Sequence, residues 1–159
     1  MKFYTGVGSR KTPPDVLDLM TWIADWLESR GWILRSGGAK GADRAFEVGA
    51  GPRAQIYRPE HATAEAMAMA AAHHPAWHRL GDWARRLHAR NCFQVLGRDL
   101  KTPSRFVVCW TPDGCVDDGE RSVRTGGTGT AISIASHHGI PVFNLKRADH
   151  RRRIERRIC

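Results

Sequence analysis

The 159-residue sequence has no long hydrophobic run, and no window approaches the roughly 20 consecutive apolar residues that cross a bilayer. Its start holds one lysine with no apolar stretch of about 7–15 residues after it, so we expect no secretory signal. Both absences predict a cytoplasmic protein that has no membrane partner.

Cysteine is scarce, and none of the four cysteines has the Cys-x-x-Cys spacing of a zinc site or a redox motif. His73, His74 and His78 lie close together, but no second cluster at ligand spacing supports a metal site there. The sequence therefore predicts no metal and no cofactor. It predicts reduced thiols at Cys92, Cys109, Cys115 and Cys159.

Acidic side chains are few, since 16 Asp and Glu accompany 25 Lys and Arg and leave a formal net charge of +9. More than half of this excess lies in residues 146–159, where seven basic residues accompany two acidic ones. A basic helix predicted at about 147–158 is suited to binding nucleic-acid phosphates without sequence preference. The alternative is a solvated helical end that has no partner.

The composition is otherwise that of a globular protein, with 42% hydrophobic and 26% charged residues. A length near 150 favours one domain, which we expect to span residues 1–159. The sequence contains no internal repeat and no low-complexity segment that would divide it.

Short apolar segments alternate with segments of helical periodicity. The predicted strands cover residues 2–5, 32–34, 54–57, 106–110 and 142–145. The predicted helices cover residues 13–30, 42–48, 63–72, 80–96, 131–138 and 147–158, with Thr12 as the N-cap of the first helix. This alternation predicts an α/β protein with an open parallel sheet of about five strands, in which residues 60–103 form a helical insertion.

Three glycine-containing loops each follow a predicted strand and precede a predicted helix, at residues 6–10, 36–43 and 126–130. The carboxyl ends of parallel strands lie at one edge of the sheet, where ligands of open α/β folds bind. Glycine lets backbone N–H groups approach an anion, and the start of the next helix carries partial positive charge. Together the loops predict a site for a phosphate or sugar phosphate, although each loop alone is also explained as a tight turn.

The predicted ligand-binding residues come from these loops and from side chains near the same edge. Arginine suits bidentate phosphate contacts. Asn91 is a candidate for a base or ribose edge and Trp110 for stacking on a base, while core packing also explains both. The full set is Gly6, Gly8, Ser9, Arg10, Ser36, Gly37, Gly38, Lys40, Asp43, Arg90, Asn91, Trp110, Thr111, Arg124, Gly126, Gly127, Thr128, Gly129 and Thr130.

The loop sequences resemble the SLOG superfamily, which joins DprA-type DNA-processing domains, LOG-type cytokinin-activating hydrolases and YspA-like proteins. The resemblance is carried by Tyr4-Thr5-Gly6-Val7-Gly8-Ser9-Arg10, Ser36-Gly37-Gly38-Ala39-Lys40-Gly41-Ala42-Asp43 and Gly126-Gly127-Thr128-Gly129-Thr130-Ala131. It covers residues 1–145 in order and is nearest to small stand-alone proteins of phages and mobile elements. It implies a Rossmann-like fold with helices on both faces of the sheet, a nucleotide-type ligand and a homo-oligomer.

LOG-type hydrolases carry a Pro-Gly-Gly-x-Gly-Thr-x-x-Glu motif whose glutamate serves cleavage of the glycosidic bond. Here Thr125 stands where the proline would be and Ser133 where the glutamate would be, so the resemblance implies binding without implying this reaction. Asp43 and Asp113 are the candidate catalytic residues, because N-glycosidic cleavage needs a carboxylate near the anomeric carbon. Helix capping and loop solvation are their alternative roles.

These observations leave three functions open. The first is binding of a nucleotide or an ADP-ribose-like derivative, to sequester or sense a signalling nucleotide, for example in phage counter-defence. The second is an N-glycosidase or phosphoribohydrolase that acts on a nucleoside phosphate. The third is DNA binding, as an accessory protein, through the basic C-terminal segment.

Overall fold

The computed structural model describes residues 1–158 and contains a five-stranded sheet whose neighbouring strands are all parallel. The strands are β1 (Lys2–Gly6), β2 (Trp32–Ser36), β3 (Gln55–Ile56), β4 (Val107–Cys109) and β5 (Val142–Asn144). The helices are α1 (Pro14–Glu28), α2 (Ala42–Ala50), α3 (Ala64–Ala72), α4 (Asp82–Leu96), α5 (Thr128–His137) and α6 (Ala148–Ile158). The predicted α/β class and the Rossmann-like parallel sheet of five strands are confirmed.

The strand order β3-β2-β1-β4-β5 places β1 at the centre of the sheet. Thr5 of β1 pairs with Arg35 on one side and with Val107 on the other. The chain first builds outward from β1 through β2 to β3 and then returns to the other side of β1 to form β4 and β5. This reversal opens a crevice at the carboxyl ends of β1 and β4, which is where open α/β sheets bind ligands.

Two apolar clusters cover the two faces of the sheet. Successive residues of β4 point to opposite faces, so Val107 and Cys109 join one cluster and Val108 joins the other. The first cluster is built with α3, α4 and α5, and the second with α1, α2 and α6. Burying one such large apolar side chain stabilises the fold by about 1.5–3 kcal/mol, so the sheet is fixed between two helical layers.

The start of α1 differs from the prediction. The helix begins at Pro14, and its N-cap is Pro13, which makes no side-chain capping bond. Thr12 is not the cap, because its hydroxyl donates a hydrogen bond of 2.6 Å to the Ser9 carbonyl and thereby closes the turn after β1. The Thr12 hydroxyl, which the sequence pattern predicts to cap α1, therefore forms its hydrogen bond within the loop at the crevice.

The end of α2 also differs, because this helix passes through Gly49 to Ala50 instead of ending at residue 48. A Cβ at Gly49 would lie 2.2 Å from the Thr21 carbonyl oxygen, so glycine is needed here for close packing of α2 on α1. The helix ends at Gly51, whose φ of +72° lies in the region that glycine adopts most readily.

Helix α5 begins at Thr128, three residues before the predicted start at residue 131. Gly129 and Thr130 therefore belong to its first turn and are not part of a free loop. Both are buried: the Cβ position of Gly129 lies 2.6 Å from Arg121 Nε, and Thr130 Oγ1 lies 2.8 Å from His88 Nδ1 of α4. Only Gly126 and Gly127 of the third predicted loop precede the helix.

Segment 60–103 supplies both α3 and α4. Thr63 caps α3 by accepting a hydrogen bond of 3.2 Å from the Ala66 amide. Phe93, Val95 and Leu96 of α4 are buried in the first apolar cluster. Helix α4 is thus the crossover that connects β3 to β4, and α3 is the added element.

No helix within residues 1–158 is long and apolar enough to cross a membrane. Cys92, Cys109 and Cys115 are free and buried, as predicted for reduced thiols, whereas Cys159 lies outside the described residues. Burial raises the pKa of Cys92 to about 12, so this thiol stays protonated and unreactive at neutral pH.

Candidate functional site

A cavity of about 380 Å³ lies at the carboxyl ends of β1 and β4, and we name it the glycine-loop cavity. Its wall comes from the loop after β1, the start of α2, the middle of α4 and the segment before α5. All three predicted glycine loops reach it, through residues 8–10, Ala39 and residues 126–128. Its volume lies within the usual range of about 300–1,000 Å³ for small-molecule sites.

Ten of the predicted ligand-binding residues line this cavity: Gly8, Ser9, Arg10, Asp43, Arg90, Asn91, Arg124, Gly126, Gly127 and Thr128. The other nine lie outside its wall: Gly6, Ser36, Gly37, Gly38, Lys40, Trp110, Thr111, Gly129 and Thr130. The wall also contains residues that the sequence did not single out, among them Lys11, His88, Gln94 and Val123.

Packing explains several of the residues outside the wall. A Cβ at Gly6 would lie 2.6 Å from the Phe46 ring, so glycine is needed there for the contact of β1 with α2. The Ser36 hydroxyl donates a hydrogen bond of 2.6 Å to the Gly6 carbonyl and is buried. Trp110 was expected to point toward the ligand edge, but its side chain is buried in the second apolar cluster.

Gly8, Gly126 and Gly127 line the cavity for different reasons. A Cβ at Gly8 would lie 2.7 Å from the Ala42 Cβ, which makes Gly8 a packing glycine. Gly126 has a φ of +67°, which favours glycine on backbone grounds. Gly127 has neither reason, since its φ is −61° and no atom lies within 4 Å of the position of a Cβ.

Asp43 is the carboxylate of the glycine-loop cavity. It lies in the first turn of α2, is 5% exposed and accepts a hydrogen bond of 3.2 Å from the Ala39 amide. Burial raises the pKa of Asp43 to about 6, against the opposing effect of the Arg90 guanidinium. A carboxyl group with a pKa near 6 is suited to acid–base chemistry. The same carboxylate also holds the loop before α2 through its hydrogen bond from the Ala39 amide.

Arg90 and Gln94 lie one helical turn apart on α4 and form the floor beside Asp43. The Arg90 guanidinium donates a hydrogen bond of 3.1 Å to the Gly37 carbonyl, but its Nε has no partner among residues 1–158. Both polar atoms of the Gln94 carboxamide are likewise buried and unpaired within the described chain. In the sequence, Gln94 could have been identified because it lies four residues after Arg90 and therefore on the same face of the predicted helix.

The charge of the cavity is predominantly positive. Arg10, Lys11, Arg90 and Arg124 line it, against the single carboxylate of Asp43. Burial lowers the pKa of Arg90; the Asp43 carboxylate opposes this effect and repulsion from the neighbouring Arg10 adds to it. The amino end of α5, which begins at the cavity wall, adds further positive potential. An anionic ligand group would relieve this repulsion.

Asn91 has a positioning role in the wall. Its side-chain amide donates a hydrogen bond of 3.1 Å to the Gly127 carbonyl, and it is nearly buried. This bond links α4 to the loop before α5 and fixes the orientation of the Gly127 backbone. Asn91 thereby shapes the cavity by holding the loop before α5 in place.

Asp113, the other candidate catalytic residue, does not line the cavity. Its carboxylate accepts hydrogen bonds of 2.8 Å from Thr111, 2.8 Å from Ser122 and 2.5 Å from Thr125. Burial disfavours its ionisation, but these hydrogen bonds outweigh burial and lower the pKa of Asp113. The carboxylate holds the loop between β4 and α5 together, and its oxygen atoms are already engaged.

A second cavity of about 920 Å³ adjoins the first, and the two share His88, Val123, Gly126 and Gly127. We name it the histidine cavity, because four imidazoles line it: those of His73, His74, His88 and His137. Arg121, Asp118 and Ser133 are also in its wall. The protein thus presents one continuous groove with two differently charged halves.

Ser133, which the sequence comparison with LOG-type motifs singled out, lines the histidine cavity. Its hydroxyl donates a hydrogen bond of 2.5 Å to Asp118 Oδ1, and its Oγ lies 2.9 Å from His73 Nδ1. Asp118 Oδ2 is 3.6 Å from His137 Nε2. A carboxylate from the loop after β4 is therefore held beside Ser133 in the histidine cavity, whereas Asp43 lines the glycine-loop cavity.

Residues 1–158 contain no group of three or more His, Cys, Asp or Glu side chains arranged to hold a metal ion. The histidines of the second cavity are paired edge to face, with ring centroids 4.5 Å apart for His74 and His88 and 4.8 Å apart for His73 and His137.

No family model, no curated protein and no solved structure matches this chain. The geometry and the charge of the two cavities are the basis on which a function is assigned.

Proposed function

We propose that this protein binds a phosphate-bearing, nucleotide-type ligand, such as an ADP-ribose derivative, in the glycine-loop cavity. Three features support the proposal: the excess of cations in the wall, the amino end of α5 and the open backbone of Gly126 and Gly127. Backbone N–H groups at a helix start bind phosphate oxygens without needing a side chain. Arginine guanidiniums add bidentate contacts to the same group.

Gly127 carries this proposal. Its backbone angles, φ −61° and ψ −28°, suit any L-amino acid, and open space surrounds the position of its missing Cβ. Neither packing nor a positive φ requires glycine at this position in the cavity wall. Close approach of a ligand to the backbone accounts for it, because a methyl group there would keep the ligand away.

Isothermal titration calorimetry with AMP and ADP-ribose tests the proposal. Gly127→Ala is expected to weaken binding by at least about tenfold, which corresponds to the loss of one or two phosphate contacts. Gly81→Ala is the matched control, since Gly81 also precedes a helix, has no atom within 4 Å of its Cβ position and lines neither cavity. Absence of binding to the unaltered protein, or equal affinities for both variants, would contradict the proposal.

We further propose that the ligand is held intact, for sequestration or sensing. The engaged oxygen atoms of Asp113 and the serine at position 133 support this view. Mass spectrometry of small molecules released from the purified protein by denaturation should then detect an uncleaved nucleotide. Recovery of a free base together with a ribose phosphate would show cleavage instead.

Asp43 favours a second candidate, an N-glycosidase that acts on a nucleoside phosphate. It is the carboxylate that lines the cationic cavity, and its pKa of about 6 suits proton transfer. Incubation with a panel of nucleotides, followed by chromatography for released base, tests this function. Release by the wild-type protein that is lost in Asp43→Asn would establish it, whereas binding without release would reject it.

We propose two further partners, nucleic acid and a second copy of this chain. Helix α6 carries the exposed Arg152, Arg153, Arg156 and Arg157 and contributes no residue to either cavity, so nucleic acid would bind on a separate surface. Trp22 and Trp83 are 52% and 56% exposed, which supports association of the chain with further copies of itself.

A further inference from the structure

The histidine cavity differs from the glycine-loop cavity in charge. The charged side chains in its wall other than imidazoles are Arg121 and Asp118, which balance each other, whereas four cations line the glycine-loop cavity against one carboxylate. The two cavities share His88, Val123 and Gly127, so a single ligand can extend from one into the other. Such a ligand would be anionic at one end and neutral at the other.

Three of the four imidazoles in the histidine cavity, those of His73, His74 and His88, are neutral at ordinary pH. Burial lowers the pKa of His73, His74 and His88. A neighbouring histidine or Arg121 lowers each of these pKa values further. Neutral imidazoles offer flat aromatic faces together with hydrogen-bonding nitrogens. A planar, uncharged heteroaromatic ring can stack on these faces and pair with these nitrogens.

His74 has a defined donor in this cavity. Its Nδ1 accepts a hydrogen bond of 3.0 Å from the Ala76 amide, so the neutral ring carries its proton on Nε2. No hydrogen bond of Nε2 to another group is formed within residues 1–158. His74 lines the histidine cavity and not the glycine-loop cavity, which makes it a specific probe of the second half of the groove.

From this arrangement we infer that the histidine cavity receives the nucleobase of the ligand whose phosphate lies in the glycine-loop cavity, an inference that rests on the proposed function. The phosphate would lie among Arg10, Arg90 and Arg124, and the sugar would pass over Gly127. The base would then contact the rings of His74 and His88. The recognised class is therefore a nucleoside phosphate and not a sugar phosphate.

Calorimetry with ribose 5-phosphate, AMP, GMP, CMP and UMP tests the inference. At least one nucleotide should bind the wild-type protein about tenfold more tightly than ribose 5-phosphate, the gain expected from stacking one base. His74→Ala should remove most of this gain and leave the dissociation constant of ribose 5-phosphate unchanged. Equal affinities of the wild-type protein for all five compounds would overturn the inference.

A second variant guards against misfolding of His74→Ala. Ala72 is exposed at the end of α3 and lines the histidine cavity, so Ala72→Trp should occupy the space of a base and weaken nucleotide binding alone. Ala72→Ser is its matched control and should keep the preference for nucleotides. A preference that survives both His74→Ala and Ala72→Trp places the base elsewhere and refutes the inference. Failure of ribose 5-phosphate and of every nucleotide to bind the wild-type protein would contradict the proposed function as well.

Discussion

The Ser133 hydroxyl donates a hydrogen bond of 2.5 Å to Oδ1 of Asp118. Ser133 lies on α5 and Asp118 lies in the loop after β4, so this bond fixes the loop on the helix at the wall of the histidine cavity. A hydrogen bond to the ionised form of a carboxyl group stabilises that form. The Ser133 hydroxyl is accordingly the main cause of the lowered pKa of Asp118, and His137 adds to it.

Ser133→Ala should raise the pKa of Asp118 toward its ordinary value. Carbon-13 NMR of the side-chain carboxyl groups during an acid titration measures this shift directly. Ser136→Ala is the control, because the Ser136 Oγ accepts a hydrogen bond of 3.3 Å from the Asp118 amide and does not contact its carboxylate. An unchanged Asp118 pKa in Ser133→Ala would show that the serine does not donate to this carboxylate.

Replacement of Asp43 should stabilise the fold at neutral pH. Burial raises the pKa of Asp43 to about 6, above its ordinary value, so the folded state binds more protons than the unfolded state between these two values. The stability of the wild-type protein therefore falls as pH rises through this window. Asp43→Asn avoids burial of a charge, and we expect its free energy of unfolding to exceed that of the wild type by about 1–3 kcal/mol above pH 7.

Urea unfolding at pH 4 and pH 8 measures this difference. The advantage of Asp43→Asn should shrink to a fraction of about 1 kcal/mol at pH 4, where Asp43 is protonated in the folded state and about half ionised in the unfolded state. Comparison with the wild type at each pH cancels the titration of groups far from Asp43. An Asp43→Asn variant that is less stable at pH 8 would mean that the electrostatic attraction between Asp43 and Arg90 outweighs the cost of burial.

The order of strands and helices follows from the sequence because buried strands are short apolar runs and surface helices repeat with helical period. Boundaries were less predictable where a side chain had a competing partner, as for Thr12, which closes the turn at Ser9. The convergence of the glycine loops was predictable from the parallel topology alone. The histidine cavity was not, because His73, Asp118 and Ser133 meet only in the folded chain.

The glycines also show what a sequence does not distinguish. Gly6, Gly8 and Gly127 occur in similar strand-to-helix loops, yet the first two are explained by contacts with Phe46 and Ala42. Only the surroundings of the missing Cβ separate a packing glycine from one that faces open space. For Gly6 and Gly8 this information depends on Phe46 and Ala42 of α2, which are distant in sequence from both glycines.

Gln94→Met should raise the stability of the protein. The Gln94 side chain is 1% exposed, and neither its Oε1 nor its Nε2 has a hydrogen-bond partner among residues 1–158. An unpaired buried polar group costs about 1–3 kcal/mol, and methionine has nearly the same shape without that cost. We expect a gain of about 1 kcal/mol in the free energy of unfolding, measured by urea denaturation.

Asn144→Leu is the contrasting variant for this experiment. Asn144 is also fully buried, but its side-chain amide donates hydrogen bonds of 2.7 Å to Thr111 and 2.9 Å to the Cys115 carbonyl. Loss of these bonds should lower stability by about 1–3 kcal/mol. If Gln94→Met is destabilised as strongly as Asn144→Leu, the Gln94 carboxamide forms hydrogen bonds in solution. The polar groups at the floor of the glycine-loop cavity would then be paired.

His88→Gln should make the protein more resistant to acid. Burial lowers the pKa of His88 to about 4, with further lowering by His74 and Arg121, whereas an unfolded histidine titrates near 6.5. Between these values the unfolded state binds a proton that the folded state does not, so His88 costs the wild type stability as pH falls. At pH 5 this cost is about 2 kcal/mol and is absent in His88→Gln, whereas it vanishes in both proteins above pH 7.

Urea unfolding at pH 5 and pH 7.5 measures the change, with the exposed His78→Gln as a control for loss of one histidine. If the wild type and His88→Gln lose equal stability on acidification, His88 takes up its proton in the folded state. The His88 imidazole at the shared wall of the two cavities would then be open to water.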